Sequence, residues 1–135
     1  MKQRGGVRPR LVLVAEDTAD LREMWRLWLT VWGFEVIEAS NGAEALVQAR
    51  THHPDLVLMD LWMPVMDGIE AMRRLRSDPQ TADIAIIALT AQSGPDIARR
   101  ARDAGCDHFR VKPVLPQDLA DLIRGSLAQK DARMT

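Results

Sequence analysis

The alternation of short apolar runs with stretches of helical periodicity constrains the fold more than any other feature of this sequence. The clearest apolar run is LVLMD at residues 56–60, which ends in an acid and is typical of a central strand covered on both faces. Similar runs predict four more strands, at residues 11–15, 34–39, 84–89 and 108–111. Amphipathic patterns predict the helices that follow them, at residues 19–32, 41–50, 68–76, 95–104 and 117–127.

These five β-α units predict an α/β fold with a doubly wound parallel sheet, because each helical crossover makes neighbouring strands run in the same direction. The chain has 135 residues, of which 47% are apolar, so it can bury one sizeable core but not a second. We expect the domain to cover residues 11–127, with a flexible basic arm at 1–10 and a polar tail at 128–135.

Composition excludes several classes of partner and site. The formal net charge of -1 gives no overall field that would attract nucleic acid or a membrane surface, so neither is predicted as a partner. Cys106 is the only cysteine, which rules out an intrachain disulfide and makes the cytoplasm the expected compartment.

Polar residues gather at the predicted carboxyl ends of the strands, where ligands bind in open parallel sheets. Glu16 and Asp17 follow the first strand, Asp60 ends the third, Thr90 follows the fourth and Lys112 follows the fifth. Three carboxylates at one edge repel one another unless a cation lies between them, and a hard, oxygen-liganded ion such as Mg²⁺ suits them. The sequence therefore predicts a magnesium site at this edge of the sheet.

The same edge lacks a His or Cys that could activate a hydroxyl or thiol nucleophile, so a carboxylate is itself the expected nucleophile. An aspartate that attacks phosphorus forms an acyl phosphate, and this transfer needs charge neutralisation and in-line positioning. Asp60 is the candidate, and the hydroxyl of Thr90 could bond a phosphoryl oxygen once it arrives.

Four segments together resemble the CheY-like receiver domains of response regulators in two-component signalling: LVLVAEDTADLR, HHPDLVLMDLWMPVMDGIEAMRRLR, IAIIALTAQ and DHFRVKPV. The resemblance covers roughly residues 9–127. It implies a flavodoxin-like (βα)5 fold with strand order 2-1-3-4-5. Among site residues it implies Asp60 as phosphoacceptor, Asp17 as a direct Mg²⁺ ligand, Glu16 as an acid acting through metal-bound water, and the Trp62 backbone carbonyl as a further ligand.

The resemblance also assigns the residues that respond to phosphorylation. Lys112 would pair with the phosphoryl group, Thr90 would be the switch hydroxyl and Phe109 the switch aromatic, and the Lys112–Pro113 peptide bond would be cis. This chain departs from the common pattern in three places: Glu16 stands for an Asp, Phe109 for a Tyr, and Trp62 for a small or polar residue.

The expected function is that of a stand-alone response regulator, since no output domain would follow the last predicted helix. A phosphohistidine on a sensor kinase or phosphotransfer protein would be the donor, and the domain would assist its own phosphorylation without being an enzyme. The alternatives are a receiver that relays phosphate to another histidine, a receiver that binds partners without phosphorylation, and an aspartyl-phosphate hydrolase. The sequence disfavours the hydrolase alternative, because the family that uses that chemistry needs an Asp at the position of Trp62.

Several other residues have both a functional and an ordinary interpretation. Trp62 and Gln92 could control access of the hydrolytic water or simply pack in loops. The apolar arc of the first helix is wider than a core stripe, so its excess could mark a partner surface. An arginine group on the last two β-α units could be a docking patch for an acidic partner or a solvated face: Arg99, Arg100, Arg102 and Arg110.

Overall fold

The computed structural model describes residues 8–134, and within them the five predicted strands form one parallel sheet. The strands are β1 (Leu11–Ala15), β2 (Glu35–Ala39), β3 (Leu56–Asp60), β4 (Ala85–Thr90) and β5 (His108–Val111). Their order across the sheet is β2-β1-β3-β4-β5, which confirms the predicted topology. The order reverses between β1 and β3, and in open α/β sheets such a reversal opens a crevice at the carboxyl ends of the strands.

A helix follows each strand: α1 (Ala19–Val31), α2 (Gly42–His52), α3 (Gly68–Ser77), α4 (Pro95–Ala104) and α5 (Pro116–Met134). Side-chain caps define two of the starts. Asn41 accepts a 2.8 Å hydrogen bond from the Glu44 amide at the start of α2, and Asp67 accepts a 2.9 Å bond from the Glu70 amide at the start of α3. None of these helices combines the length and apolar character that a membrane crossing requires.

Two apolar layers cover the two faces of the sheet. In β1, Leu13 and Ala15 face the layer built with α2, α3 and α4, whereas Val12 and Val14 face the layer built with α1 and α5. All five residues of β3 are buried, as expected of the central strand. The sheet is therefore fixed from both sides, and its carboxyl edge is a rigid base for the residues that follow the strands.

The last helix is longer than predicted and reaches Met134, so the described part of the predicted polar tail is helical. Contacts distant in sequence hold this extension. Asp131 forms an ion pair with Arg10, and the Lys130 ammonium donates a 3.3 Å hydrogen bond to the Asp55 carbonyl. Most of the predicted basic arm, residues 1–7, lies outside the described residues.

The apolar arc of α1 divides between the core and the surface. Trp25 and Leu29 are buried beneath the helix. Trp28 stacks on Trp32 with ring centroids 5.7 Å apart and remains partly exposed. Further exposed apolar side chains on this helix are Met24, Leu27 and Val31.

Candidate functional site

The acidic cluster lies where β1 and β3 run side by side. Ala15 pairs with Met59, so the next residues along the two strands, Glu16 and Asp60, become neighbours at the carboxyl edge. Glu16 and Asp60 are buried, at 3% and 7% exposure, whereas Asp17 is exposed to solvent. One carboxylate oxygen from each of the three residues lies within 4.8 Å of the others. This set of convergent hard oxygen donors fits a divalent cation such as Mg²⁺.

Lys112 reaches the cluster from the loop after β5. Its ammonium nitrogen lies 2.6 Å from Glu16 Oε1 and 3.5 Å from Asp60 Oδ2. The Lys112 backbone amide donates a 2.8 Å hydrogen bond to the Thr90 carbonyl, so the lysine and the end of β4 are tied together. The Lys112–Pro113 peptide bond is cis, the geometry that the resemblance implied.

Hydrogen bonds restrain both the backbone and the carboxylate of Glu16. Its backbone amide donates a 3.0 Å hydrogen bond to the Ala39 carbonyl, and its Oε2 accepts a 3.1 Å bond from the Thr18 amide. Burial alone would raise the pKa of this carboxyl, but the hydrogen bonds from Lys112 and Thr18 lower it below the ordinary value. Glu16 is therefore ionised in the resting site and paired with the lysine.

Asp60 has the opposite electrostatic character. Burial, together with the negative charge of Glu16, raises its pKa to about 6. Its Oδ1 accepts a 3.2 Å hydrogen bond from the Trp62 amide, which orients the carboxyl group toward the loop after β3. Lys112, 3.5 Å away, compensates the ionised form of Asp60 only in part, and a bound divalent cation would supply further positive charge.

Tight backbone contacts fix the loop between β3 and α3. A Cβ at Gly68 would lie 2.2 Å from the Asp60 carbonyl oxygen, and a Cβ at Gly42 would lie 2.2 Å from the Met66 carbonyl oxygen. Glycine is needed at both positions for this close approach. The Gly68 amide donates a 3.0 Å hydrogen bond to the Leu61 carbonyl. Trp62, carried on this loop, projects into solvent with 41% of its surface exposed.

Thr90 and Phe109 lie beside the cluster rather than within it. Thr90 ends β4, the strand next to β3, and is fully buried, and its hydroxyl oxygen accepts a 3.2 Å hydrogen bond from the Gln92 amide. Phe109 pairs with Ala88 across β4 and β5 and packs, half-buried, against the layer that contains α4. The predicted pair Trp62 and Gln92 are both exposed on loops that follow neighbouring strands.

The arginines of the last two β-α units are exposed on α4 and β5. Arg99 forms a 2.8 Å ion pair with Asp96, and Arg110 donates a 2.8 Å hydrogen bond to the Phe109 carbonyl. Cys106 is half-buried, and burial raises the pKa of its thiol to about 11, which leaves it unreactive.

Arg22 was not among the predicted site residues, yet it contacts the backbone of one of them. Its Nη1 donates a 2.8 Å hydrogen bond to the Glu16 carbonyl, and its Nε donates a 3.1 Å bond to Glu38 on β2. Its only signal in the sequence is its place on the first turn of the helix that follows the acid pair, which does not reveal a contact with a backbone carbonyl.

A five-stranded parallel sheet with an acidic, lysine-containing cluster at its carboxyl edge defines a flavodoxin-like α/β protein whose cluster could bind a divalent cation. The chain belongs to the response regulator receiver domain family, whose model matches residues 12–124. Members of this family act in two-component signalling, where they take phosphoryl groups from histidine kinases and act on downstream partners.

Individual relatives agree with this assignment. The chain is 43% identical over 116 residues to the transcriptional regulatory protein PdtaR of Mycobacterium tuberculosis, covering 85% of this chain and 55% of PdtaR. It is 34% identical over 119 residues to the polar-differentiation response regulator DivK of Brucella anthropi, covering 88% of this chain and 97% of DivK. The chain thus spans about half the length of several curated relatives that it matches, PdtaR among them.

A solved structure with the same fold bears on the cation site. The receiver domain of the sensor histidine kinase PA1611 from Pseudomonas aeruginosa matches with a TM-score of 0.84 and 26% identity, covering 90% of this chain and 99% of that domain. That structure is described with a magnesium ion coordinated in its active site cleft.

Proposed function

We propose that this chain accepts a phosphoryl group on Asp60 in a Mg²⁺-dependent reaction and signals through protein contacts that depend on that group. The observation that carries the proposal is the position of Asp60. It ends the buried central strand within 4.8 Å of two other carboxylates and 3.5 Å from the Lys112 ammonium. A carboxylate nucleophile beside a cation site and a fixed positive charge has what phosphoryl transfer requires.

In the proposed transfer, a carboxylate oxygen of Asp60 attacks the phosphorus of a phosphohistidine. The new bond joins this oxygen to phosphorus, and the bond between phosphorus and the imidazole nitrogen breaks. The electron pair of the broken bond leaves on the imidazole nitrogen, so the products are an aspartyl phosphate and a free histidine. The Trp62 amide, 3.2 Å from Asp60 Oδ1, orients the carboxylate for this attack.

Glu16, Asp17, Asp60 and the Trp62 backbone carbonyl are the residues that would hold the metal. Bound Mg²⁺ would neutralise the charge of the carboxylates and of the transferring phosphoryl group. The donor set itself supports this, since Asp60 is buried beside the ionised Glu16. Glu16 extends one methylene farther than the commoner Asp, which lengthens its reach toward the metal.

Lys112 and Thr90 are proposed to sense the phosphoryl group. When the group stands on Asp60, the lysine would move from Glu16 to a phosphoryl oxygen, and the Thr90 hydroxyl would leave the Gln92 amide to bond another. The Lys112 amide binds the Thr90 carbonyl, so the two movements would be coupled. The end of β4 and the start of the loop that follows it would then move together.

The proposed output surface consists of α4, β5 and α5. Phe109, on β5 beside β4, packs against the core layer that contains α4, so a change at the end of β4 would reach this surface through it. The exposed arginines Arg99 and Arg110 favour an acidic partner there, and charge reversal at either should weaken partner binding without altering phosphoryl uptake.

The proposal includes a stand-alone regulator in the cytoplasm. The similarity to DivK, a response regulator of which this chain covers 97%, favours the first part. The lone Cys106 supports the second, since no disulfide requires an oxidising compartment. A phosphate relay remains the second candidate, because onward transfer to a histidine would use the same Asp60.

Incubation with acetyl phosphate followed by intact-mass measurement tests the proposed chemistry. With Mg²⁺ the wild-type chain should gain one phosphoryl group, and with excess EDTA it should gain none. Asp60→Asn should gain none under either condition, whereas Asp103→Asn, an exposed carboxylate on α4, should behave as wild type. Equal labelling of Asp60→Asn and wild type would show that another residue accepts the group.

A further inference from the structure

The Asp17 side chain makes little contact that could fix its direction. It is exposed, and within residues 8–134 no hydrogen bond or ion pair restrains its carboxylate, unlike those of Glu16 and Asp60. The direction of such a side chain depends on the backbone from which it projects. For Asp17 the deciding unit is the peptide that joins it to Glu16, because rotation of that plane swings the Asp17 side chain.

Arg22 holds this peptide unit. Its Nη1 donates a 2.8 Å hydrogen bond to the Glu16 carbonyl oxygen, which is part of the plane that precedes Asp17. The guanidinium is anchored in turn, since its Nε donates a 3.1 Å bond to Glu38 Oε1 and its side chain is only 21% exposed.

The end of β2 therefore restrains Glu16 from two directions. The Glu16 amide binds the Ala39 carbonyl directly, at 3.0 Å. The Glu16 carbonyl is bound to the neighbouring residue, Glu38, through the Arg22 guanidinium. Both ends of the residue are thus tied to the same strand, and the turn after β1 has little freedom to rotate.

We propose that Arg22 is a positioning residue for the metal site. This inference rests on the proposed function, because it assigns Arg22 to the same Mg²⁺ site. By fixing the Glu16–Asp17 peptide plane, Arg22 keeps Asp17 directed toward Glu16 and Asp60 before the metal binds, so that binding does not have to order the loop. Arg22 touches neither the carboxylate cluster nor the transferring group, and it acts through a backbone carbonyl.

Simple electrostatics predicts the opposite sign for this residue. A positive charge near three carboxylates opposes the binding of a cation, so removal of Arg22 by charge alone would tighten Mg²⁺ binding. The positioning role predicts weaker binding. The sign of the change in affinity therefore distinguishes the two.

Arg26 offers a matched control. It lies one turn later on α1, its Nε contacts the same carboxylate at 3.2 Å from Glu38 Oε2, and its other described ion pair is to Glu23 at 3.6 Å. Arg26→Met removes the same charge and a contact with the same glutamate, but it leaves the hydrogen bond to Glu16 intact.

The test is a titration of ¹⁵N-labelled protein with MgCl₂ at constant ionic strength, followed through the amide signals of Asp17 and Trp62. The Kd for Mg²⁺ should rise about tenfold in Arg22→Met and stay within about twofold in Arg26→Met. In phosphorylation by acetyl phosphate, the half-saturating Mg²⁺ concentration should rise by the same factor, while the rate at saturating Mg²⁺ changes little. The amide spectrum reports whether each variant is folded.

Unchanged or tighter Mg²⁺ binding in a folded Arg22→Met overturns the proposal, and so does an equal loss of affinity in Arg26→Met. Should Arg22→Met not fold, Arg22→Lys replaces it: one ammonium cannot reproduce the two-armed contact with Glu16 and Glu38, so the Kd should rise about threefold, and an unchanged Kd overturns the role. If the wild-type chain takes up no Mg²⁺, the proposed metal site is wrong and this role falls with it. If wild type and Arg22→Met bind equally, only the role of Arg22 is wrong.

Discussion

Lys112 donates a 2.6 Å hydrogen bond to Glu16 across the carboxyl edge of the sheet. The same ammonium nitrogen lies farther from Asp60, at 3.5 Å. The lysine therefore pairs more closely with the glutamate than with the proposed nucleophile. A divalent cation that neutralises Glu16 would free the lysine to pair with a group carried by Asp60.

Replacement of the lysine tests this exchange. Lys112→Met should lower the rate of phosphoryl transfer from acetyl phosphate at saturating Mg²⁺ by about tenfold to a hundredfold, because it removes a charge aimed at the developing negative charge. The measurement is the time course of the phosphorylated mass. Lys130→Met, whose ammonium contacts the Asp55 carbonyl at the opposite end of the sheet, should leave the rate unchanged. A normal rate in Lys112→Met would remove the lysine from the transfer step.

The raised pKa of Asp60 predicts a pH-dependent stability in EDTA. The folded-state pKa of about 6 lies above that of an unfolded aspartate, so ionisation of Asp60 opposes folding. The stability that the protonated Asp60 contributes is fully present below pH ~4 and is lost as the pH rises through about 6. In EDTA, Asp60→Asn should therefore gain about 1–2 kcal/mol over wild type between pH 4.5 and pH 7.5, after allowance for screening at the open side of the site.

Urea unfolding at the two pH values measures this gain. Asp103→Asn, which alters an exposed carboxylate, should show no comparable gain. Saturating Mg²⁺ should reduce the advantage of Asp60→Asn at pH 7.5, since the metal binds and stabilises wild type. A difference between Asp60→Asn and wild type that does not grow with pH would mean that the buried carboxylate is already compensated.

The sequence predicts those parts of the fold that depend on local patterns of residue type. The run at residues 56–60 is apolar throughout because β3 is covered on both faces, and all five strands were expected close to their observed positions. The convergence of Glu16 and Asp60 follows from strand order, since β1 and β3 are neighbouring parallel strands. Lys112 follows β5, on the far side of β4, and its long side chain reaches the cluster from the same edge.

Contacts between residues distant in sequence account for what was missed. The extension of α5 to Met134 is held by contacts with Arg10 and Asp55, which immediately precede β1 and β3. Residues 128–134 are mostly good helix formers, but that propensity does not by itself indicate how far the helix continues. Arg22 likewise binds a backbone carbonyl, which any residue at position 16 would provide. Patterns of residue type cannot report contacts of that kind.

Trp62 should control the lifetime of the aspartyl phosphate if it shields the group from water. Trp62→Asn should then lose its phosphoryl group about fivefold faster, because the hydrolytic water gains access. The decay of the phosphorylated mass after removal of acetyl phosphate measures this. Trp28→Asn is a matched control, since Trp28 is 40% exposed against 41% for Trp62 but lies on α1. An unaltered lifetime in Trp62→Asn would assign Trp62 to ordinary loop packing.

Substitution of Thr90 should separate phosphorylation from the structural change that follows it. Thr90→Ala should still take up the phosphoryl group, but the changes in amide chemical shift over α4 and β5 that accompany phosphorylation of wild type should be largely lost, because no hydroxyl remains to bond the group. Thr90→Ser retains the hydroxyl and should retain the changes. Full shift changes in Thr90→Ala would show that the signal leaves the site by another route.

The identity of the residue that carries the phosphoryl group is the most direct test of the whole account. Borohydride reduces an acyl phosphate to an alcohol, so treatment of the phosphorylated chain should convert one aspartate to homoserine, which peptide mass mapping can locate. We predict homoserine at position 60 and unmodified side chains at Glu16 and Asp17. Reduction at either of those positions, or phosphorylated protein in which Asp60 survives borohydride intact, would contradict the assignment of Asp60 as phosphoacceptor.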